Sequence, residues 1–204
     1  MTLLAIVNGQ LADPMNKFSR EIKKISSNRK KTDEHYLMMS QFEWVGGLYL
    51  DEDNRPCIPG IVLDGMLAEA AKKLKLGKVM KSAAEVLTSP LIEHDGPKKA
   101  KADDLKDLPR YKHSGPVKVG TSKVIRTRPM FPVWSLEFDV QIDTEALEGR
   151  QLKDVIEKGG RFVGLGDFRP RFGKFVFRFM ALIVLCLAFI VAGIAIAGFY
   201  QARF

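Results

Sequence analysis

From Phe179 to Tyr200 the chain reads FMALIVLCLAFIVAGIAIAGFY, twenty-two residues without a charge. As a helix rising about 1.5 Å per residue it spans roughly 33 Å, enough for the ~30 Å hydrocarbon core of a bilayer. A helix this long that is apolar on every side has few places in a water-soluble core, so residues 178–204 are expected to form a C-terminal transmembrane anchor; a buried helix is the alternative. Arg171, Lys174 and Arg178 precede the run and only Arg203 follows it. The positive-inside bias then predicts a single-pass protein with its N-terminal domain, residues 1–177, in the cytoplasm. Leu3, Leu4, Ile6 and Val7 read as a strand; without a basic leader segment they do not read as a signal peptide.

The excess positive charge is gathered in patches. Residues 17–31 hold seven basic groups against one acid, residues 110–128 six against none, and residues 161–178 five against one, within a net charge of +8. Such clustering suits a polyanion, either nucleic acid or an anionic lipid surface, although lysine runs also serve as solvated faces. The densest cluster contains Lys17, Arg20, Lys24, Lys30 and Lys31. Cys57 and Cys186 are far apart in character as well as in sequence, which fits a reducing compartment. His35, His94 and His113 share no ligand spacing, so neither a metal site nor a cofactor is expected. His35 follows Asp33 and Glu34, and His94 lies between Glu93 and Asp95, but sequence neighbours cannot assemble a triad and no G-x-S-x-G turn is present. The expectation is a protein that is not an enzyme, with a cryptic ribonuclease as the catalytic alternative.

Along residues 1–177 the order is strand, helices, strands, helix, strand. Residues 2–8 read as the first strand. Phe18, Ile22 and Ile25 fall at helical spacing, and Thr32 caps a second helix that Gly46 and Gly47 break. LYLDEDNRPCIP is a small extended excursion around an Asp-Asn turn. After Pro59 and Gly60 comes the clearest helix, with Leu63, Met66, Leu67, Ala70, Ala71 and Leu74 on one stripe and Lys72, Lys73 and Lys75 at its C-terminal end, where cations suit the helix dipole. Residues 89–116 are polar and rich in proline and read as a long surface insertion. In VWSLEFDVQI, Trp134, Leu136, Phe138, Val140 and Ile142 alternate with polar residues, so one strand face is buried. Leu152, Val155 and Ile156 define a further helix, ended by Gly159 and Gly160, and residues 173–177 read as the last strand. This is an α+β pattern: an antiparallel sheet with helices on one face.

The segment GRFVGLGDFRPRFGKF has two readings. Gly164, Gly166 and Gly173, surrounded by Arg161, Arg169, Arg171 and Lys174, suit an anion cradle in which the N–H groups of residues 164–167 point at a phosphate. They equally suit a tight connector, with Asp167 pairing Arg169 or Arg171. No Gly-Lys-Ser/Thr follows, so nucleotide hydrolysis is not indicated. Arg126 and Arg128 either contact phosphate or form cross-strand pairs with Glu137 and Asp139 through a hairpin at residues 129–132.

Two segments together carry a family resemblance. NRPCIPGIVLDGMLAEAAKK, residues 54–73, resembles the stretch that opens the main helix in the RAMP superfamily, especially the backbone subunits of CRISPR effector complexes. GLGDFRPRFGKF, residues 164–175, is similar to that superfamily's glycine-rich loop before its last strand. The motifs GGLYLDEDNRPCIP, RTRPMF and GLGDFRPRFGKF also resemble those of a group of tailed-phage proteins. The resemblance implies a ferredoxin-like, RRM-like core that binds RNA through the glycine loop and nearby basic surfaces. Two features depart from the superfamily pattern: the apolar C-terminal run, and residues 89–116, which do not read as a nucleic-acid-gripping thumb. The combined expectation is a non-catalytic domain that binds single-stranded RNA or DNA, with RNA favoured, tethered to a membrane; self-association and contact with membrane lipid are further expectations. A membrane-surface assembly or host-partner-recruiting protein without nucleic-acid binding is the alternative.

Overall fold

The computed structural model describes residues 3–179 and 200–203, with side chains described from residue 3 to residue 178. In chain order these form β1 (Leu4–Ala5), α1 (Lys17–Ser26), α2 (Asp33–Gly46), β2 (Tyr49–Leu50), β3 (Pro56–Cys57), α3 (Gly60–Lys72), α4 (Gly77–Ala83), β4 (Ala84–Val86), β5 (Glu93–His94), α5 (Ala102–Leu105), β6 (Lys112–Val119), β7 (Ser122–Phe131), β8 (Trp134–Ser135), β9 (Glu137–Ile142), α6 (Gly149–Lys158), β10 (Arg178–Phe179) and β11 (Tyr200–Arg203). The architecture is α+β, with small antiparallel sheets ordered β1-β7-β6, β10-β11-β9-β4, β2-β3 and β5-β8.

Local rules build the helical parts. Asn16 caps α1 by accepting from the Phe18 N–H, and Thr32 and His35 form a reciprocal capping box at α2. In α3 the buried stripe is Leu63, Met66, Leu67, Ala70 and Ala71, the 3.6-residue pattern of a helix with one face in the core. The β8–β9 segment buries Trp134, Leu136, Phe138, Val140 and Ile142, as their alternation requires. One apolar cluster runs from Leu4 in β1 to Leu165 beyond α6.

Two expectations are corrected. Residues 89–116 are not a surface insertion. Ile92, Ala100, Leu105 and Tyr111 are buried in the core, β5 pairs with β8, and the Trp44 indole N–H donates to the Tyr111 carbonyl at 2.7 Å. Their polar residues cover the outside of a segment that buries Ile92, Ala100, Ala102, Leu105 and Tyr111 and leaves Leu108 exposed. Residues 173–177 are likewise irregular rather than a strand, because Gly173 and Phe175 send their N–H groups to Leu3 and Gly160 instead of to a ladder partner. β10 begins only at Arg178.

β6 and β7 form the longest hairpin, registered from Lys112↔Pro129 to Val119↔Ser122, and β7 also pairs with β1. β11 lies between β9 and β10, with Arg203 opposite Arg178 and Tyr200 opposite Val140. Among the described residues no helix is long and apolar enough to cross a membrane. Of the expected anchor, residues 178–204, residues 180–199 and 204 lie outside the described residues, and its described ends are the strands β10 and β11.

Candidate nucleic-acid interface

The glycine loop follows α6 through one wide turn, Gly159–Val163, and then runs at positive φ at Gly164, Gly166, Phe168 and Gly173. Its amides are spent on main chain. The N–H of Gly164 donates to the Gly159 carbonyl at 2.8 Å, Leu165 to Gly173 at 2.9 Å, Asp167 to Ala5 at 2.7 Å and Gly173 to Leu3 at 2.7 Å. The expected cradle of free N–H groups at residues 164–167 is therefore overturned at 164, 165 and 167. The glycines serve close backbone approach instead. A Cβ on Gly166 would lie 2.2 Å from the Ala5 carbonyl oxygen, and one on Gly173 would lie 1.7 Å from that of Leu165. The loop is a seat for β1.

The arginines are partly committed. Arg128 pairs with Asp167 at 3.2 Å, so Asp167 serves neither Arg169 nor Arg171. Arg169 reaches Glu69 of α3 at 3.2 Å. Arg161 lies 5.3 Å from the Phe162 ring centre. Arg171 is exposed and has no ion pair among the described residues; Lys174, three residues on, is exposed. The expected pairing of Arg126 and Arg128 with Glu137 and Asp139 is corrected by topology, since β7 pairs with β1 and β6 and β9 lies in another sheet. Arg126 instead bonds Glu43 at 2.5 Å, and that buried carboxylate also accepts the Thr127 N–H at 2.8 Å.

Beside these cations the fold assembles an aromatic cluster. His113 on β6 meets Phe168 and Phe172 edge-on, at ring-centre distances of 5.7 and 5.6 Å, and the two phenylalanines meet each other at 5.8 Å. Phe168 is 37% exposed at φ +57°, a conformation that costs an aromatic residue free energy and persists only when its surroundings hold it. Register places His113 opposite Arg128. None of the three rings was legible as a site residue. The alternation of Phe and Arg in DFRPRF was the available signal, and only the approach of β6 to the loop gives it meaning.

The second cluster stands on α1 and on the turn that follows it. Lys17, Arg20, Lys24 and Lys30 are exposed and Lys31 is half-buried, its ammonium donating to the Asn28 carbonyl at 2.9 Å. Lys17 lies 4.8 Å from the Phe18 ring centre. α1 packs on α2, and α2 on β7. No hydrogen bond or ion pair joins α1 to the glycine loop among the described residues.

The histidines have structural occupations. His35 closes the capping box. His94 packs on Tyr111 and Phe131, accepts the Gly96 N–H, and is held below its ordinary pKa by burial against the opposing pull of Asp95 and Glu93. Among the described residues no three His, Cys, Asp or Glu groups converge as a metal site would require. Comparison of the chain with protein-family models, curated proteins and solved structures gives no match.

Proposed function

We propose that this is a non-catalytic domain that binds single-stranded nucleic acid, RNA in preference to DNA, at the junction of the β6–β7 hairpin and the glycine loop. The observation that carries the reading is the exposed Phe168, held against His113 and Phe172 on a segment that also presents Arg171. Rings offer stacking surface to any base, and an uncommitted guanidinium beside them suits the phosphates between bases. Within this proposal the core is RAMP-like and ferredoxin-like. The seating of the glycine loop on β1 and the Pro59–Gly60 start of α3 support that assignment, and the preference for RNA rests on the same resemblance. The cations of α1 would add sequence-independent attraction to the same polyanion.

The apolar run from Phe179 to Tyr200, within the expected anchor 178–204, is proposed to hold the domain at the cytoplasmic face of a membrane. β10 and β11 constrain how it does so, because Arg178 and Arg203 are partners in one sheet, whereas a single crossing would part them by roughly 30 Å. Maleimide labelling of Cys introduced at residue 203 in intact spheroplasts separates the two geometries: protection of residue 203 keeps both flanks on the domain's side, and labelling from outside means one crossing that breaks this pairing.

Anisotropy titration of the full chain in detergent with labelled single-stranded RNA and DNA, at low and moderate salt, tests the binding. Affinity is expected to fall with salt, and Phe168→Ala with Phe172→Ala to cost about 1–3 kcal/mol for each base that loses its stacking partner. Absence of binding at low salt removes the reading. A second reading, docking of a protein partner without nucleic acid, is favoured by Tyr36, Leu37 and Met38, which stand 58%, 57% and 43% exposed on the first turns of α2. Loss of a co-purified partner in Leu37→Glu, with RNA binding absent throughout, is the result that selects it.

A further inference from the structure

From residue 70 to residue 84 the chain contains Lys72, Lys73, Lys75, Lys78 and Lys81 and no acid. All five are exposed or nearly so at the α3–α4 turn, and none has an ion-pair partner among the described residues. Five like charges on one turn repel one another, and among the described residues none of them is held by a carboxylate within ion-pair distance.

These lysines rim a groove. The outer side of α3 carries a shallow depression of about 570 Å³, floored by Gly65 and Ala68 and edged by Lys72, Lys73 and Lys81. Glu69 also lines a second depression of about 400 Å³, whose walls include Phe162, Phe168 and Arg169. Glu69, the acid that both share, is already held by Arg169. At the far end Phe162 is 47% exposed, with the Lys158 ammonium 5.4 Å and the Arg161 guanidinium 5.3 Å from its ring centre. Cations therefore stand at both depressions, and Phe168, the ring on which the proposed base-stacking site depends, lines the second.

We infer that a single nucleic-acid strand leaving the Phe168 site runs along the outer groove of α3, its phosphates held by Lys72, Lys73 and Lys81. This inference rests on the nucleic-acid reading above. The occupant is a chain of phosphates rather than one compact anion, because Gly65 to Lys73 alone extends about 12 Å along the helix. A strand suits the site better than a lipid surface: the lysines edge a concave trough whose floor is made of small residues, whereas headgroups in a bilayer meet a convex or flat face. Gly65 has open space where a Cβ would be, so the floor is accessible and free of packing.

The full chain in detergent is titrated with fluorescein-labelled oligouridylate at low and moderate salt, and with phosphatidylserine-containing vesicles. The triple variant Lys72→Gln, Lys73→Gln, Lys81→Gln is compared with Lys98→Gln, Lys99→Gln, Lys153→Gln, which removes the same charge outside the groove. Gly65→Leu fills the floor without changing charge. The groove triple is expected to weaken oligouridylate binding at least about tenfold more than the control triple and to lower the salt slope by about 2, three contacts at about 0.7 each. Gly65→Leu is expected to weaken binding while its melting temperature stays at or above wild type. Equal weakening by the two triples overturns the inference, as does wild-type affinity in Gly65→Leu. So does a groove triple that loses vesicle binding alone. If the wild-type chain binds no oligouridylate, the nucleic-acid reading falls and takes this inference with it. If it binds and responds to Phe168→Ala but not to either groove change, only the path along α3 is wrong.

Discussion

Residues 17–46 and 159–175 carry the same net charge of +3 in the sequence, but the fold holds them in opposite ways. The α1–α2 hairpin is built from neighbours: Asn16 caps α1, Thr32 and His35 cap α2, and the exposed cations of α1 have no ion pair among the described residues. The glycine loop is built from distant residues. Its amides go to Leu3, Ala5 and Gly159, and Arg169 reaches a carboxylate one hundred positions away. A count of charges scores the two equally. The fold separates charge already committed to the protein from charge still available to a ligand, and it also makes the loop far more important to stability than α1.

The largest expected effect tests that asymmetry. Gly173→Ala places a Cβ 1.7 Å from a backbone oxygen at φ +73°, where neither atom can yield without moving the seat of β1. A loss of about 3 kcal/mol or more is expected, set against a typical total stability of about 5–15 kcal/mol. Lys23→Gln with Lys24→Gln, on the exposed side of α1, should stay within about 0.5 kcal/mol of wild type. Denaturant unfolding of the full chain measures both. Comparable losses from the two changes would break the comparison.

One contact ties the helical hairpin to the rest of the fold over a long range. Glu43, 4% exposed, accepts both the Thr127 N–H and the Arg126 guanidinium. Glu43→Ala orphans a buried amide and a half-exposed cation. A cost of about 2–3 kcal/mol is expected, less than for a fully buried pair because Arg126 is 33% exposed to water. A smaller loss, below about 1 kcal/mol, would mean that α2 docks on β7 through its apolar face alone.

The same division explains what could be read from the sequence. Periodicity and caps are relations among residues three or four apart, so α1, α2, α3, α6 and the alternation through β8 and β9 were legible. Residues 89–116 were not, because Leu105 and Tyr111 are isolated apolar positions among prolines and lysines whose burial depends on Trp44 and β8. The loop's glycines signalled an unusual backbone, but the chain gives no sign that β1 would take its N–H groups. The partners of Arg126 and Arg128 were missed for the same reason: β7 pairs backwards with β6 rather than forwards with β9. Of the lysines from 72 to 81, Lys72, Lys73 and Lys75 suit the dipole at the end of α3, a role that leaves Lys78 and Lys81 unexplained.

A smaller effect sharpens the local half of the comparison. In the box at α2 the Thr32 N–H donates to His35 Nδ1 at 3.1 Å, and the His35 N–H donates to Thr32 Oγ1 at 3.4 Å. Thr32→Ala should cost about 1 kcal/mol, and Thr32→Ser should restore most of it. If Ser restores nothing, the methyl group rather than the cap is what stabilises this helix start.

The smallest expected effect concerns the third basic stretch, where Arg110 is bonded to Asp95 and the Tyr111 hydroxyl donates to the same carboxylate at 3.1 Å. The Arg110 hydrogen bond holds the Asp95 carboxyl below its ordinary value of 3.8, with help from Tyr111 and against the opposing effect of burial. Because the folded protein binds this proton less readily than the unfolded chain, the contribution is present above about pH 4 and fades as pH falls through that range toward the folded pKa. The pair is partly solvent-exposed, so the effect is modest and salt-sensitive. Thermal unfolding of wild type and Asp95→Asn from pH 6 to pH 3 should show two melting temperatures that converge as the pH drops, the wild type losing its advantage. A gap that stays constant over this range would mean that the hydrogen-bond geometry, and not the charge, is what Asp95 supplies, and Arg110 would then count with the uncommitted cations of α1 rather than with the spent arginines of the loop.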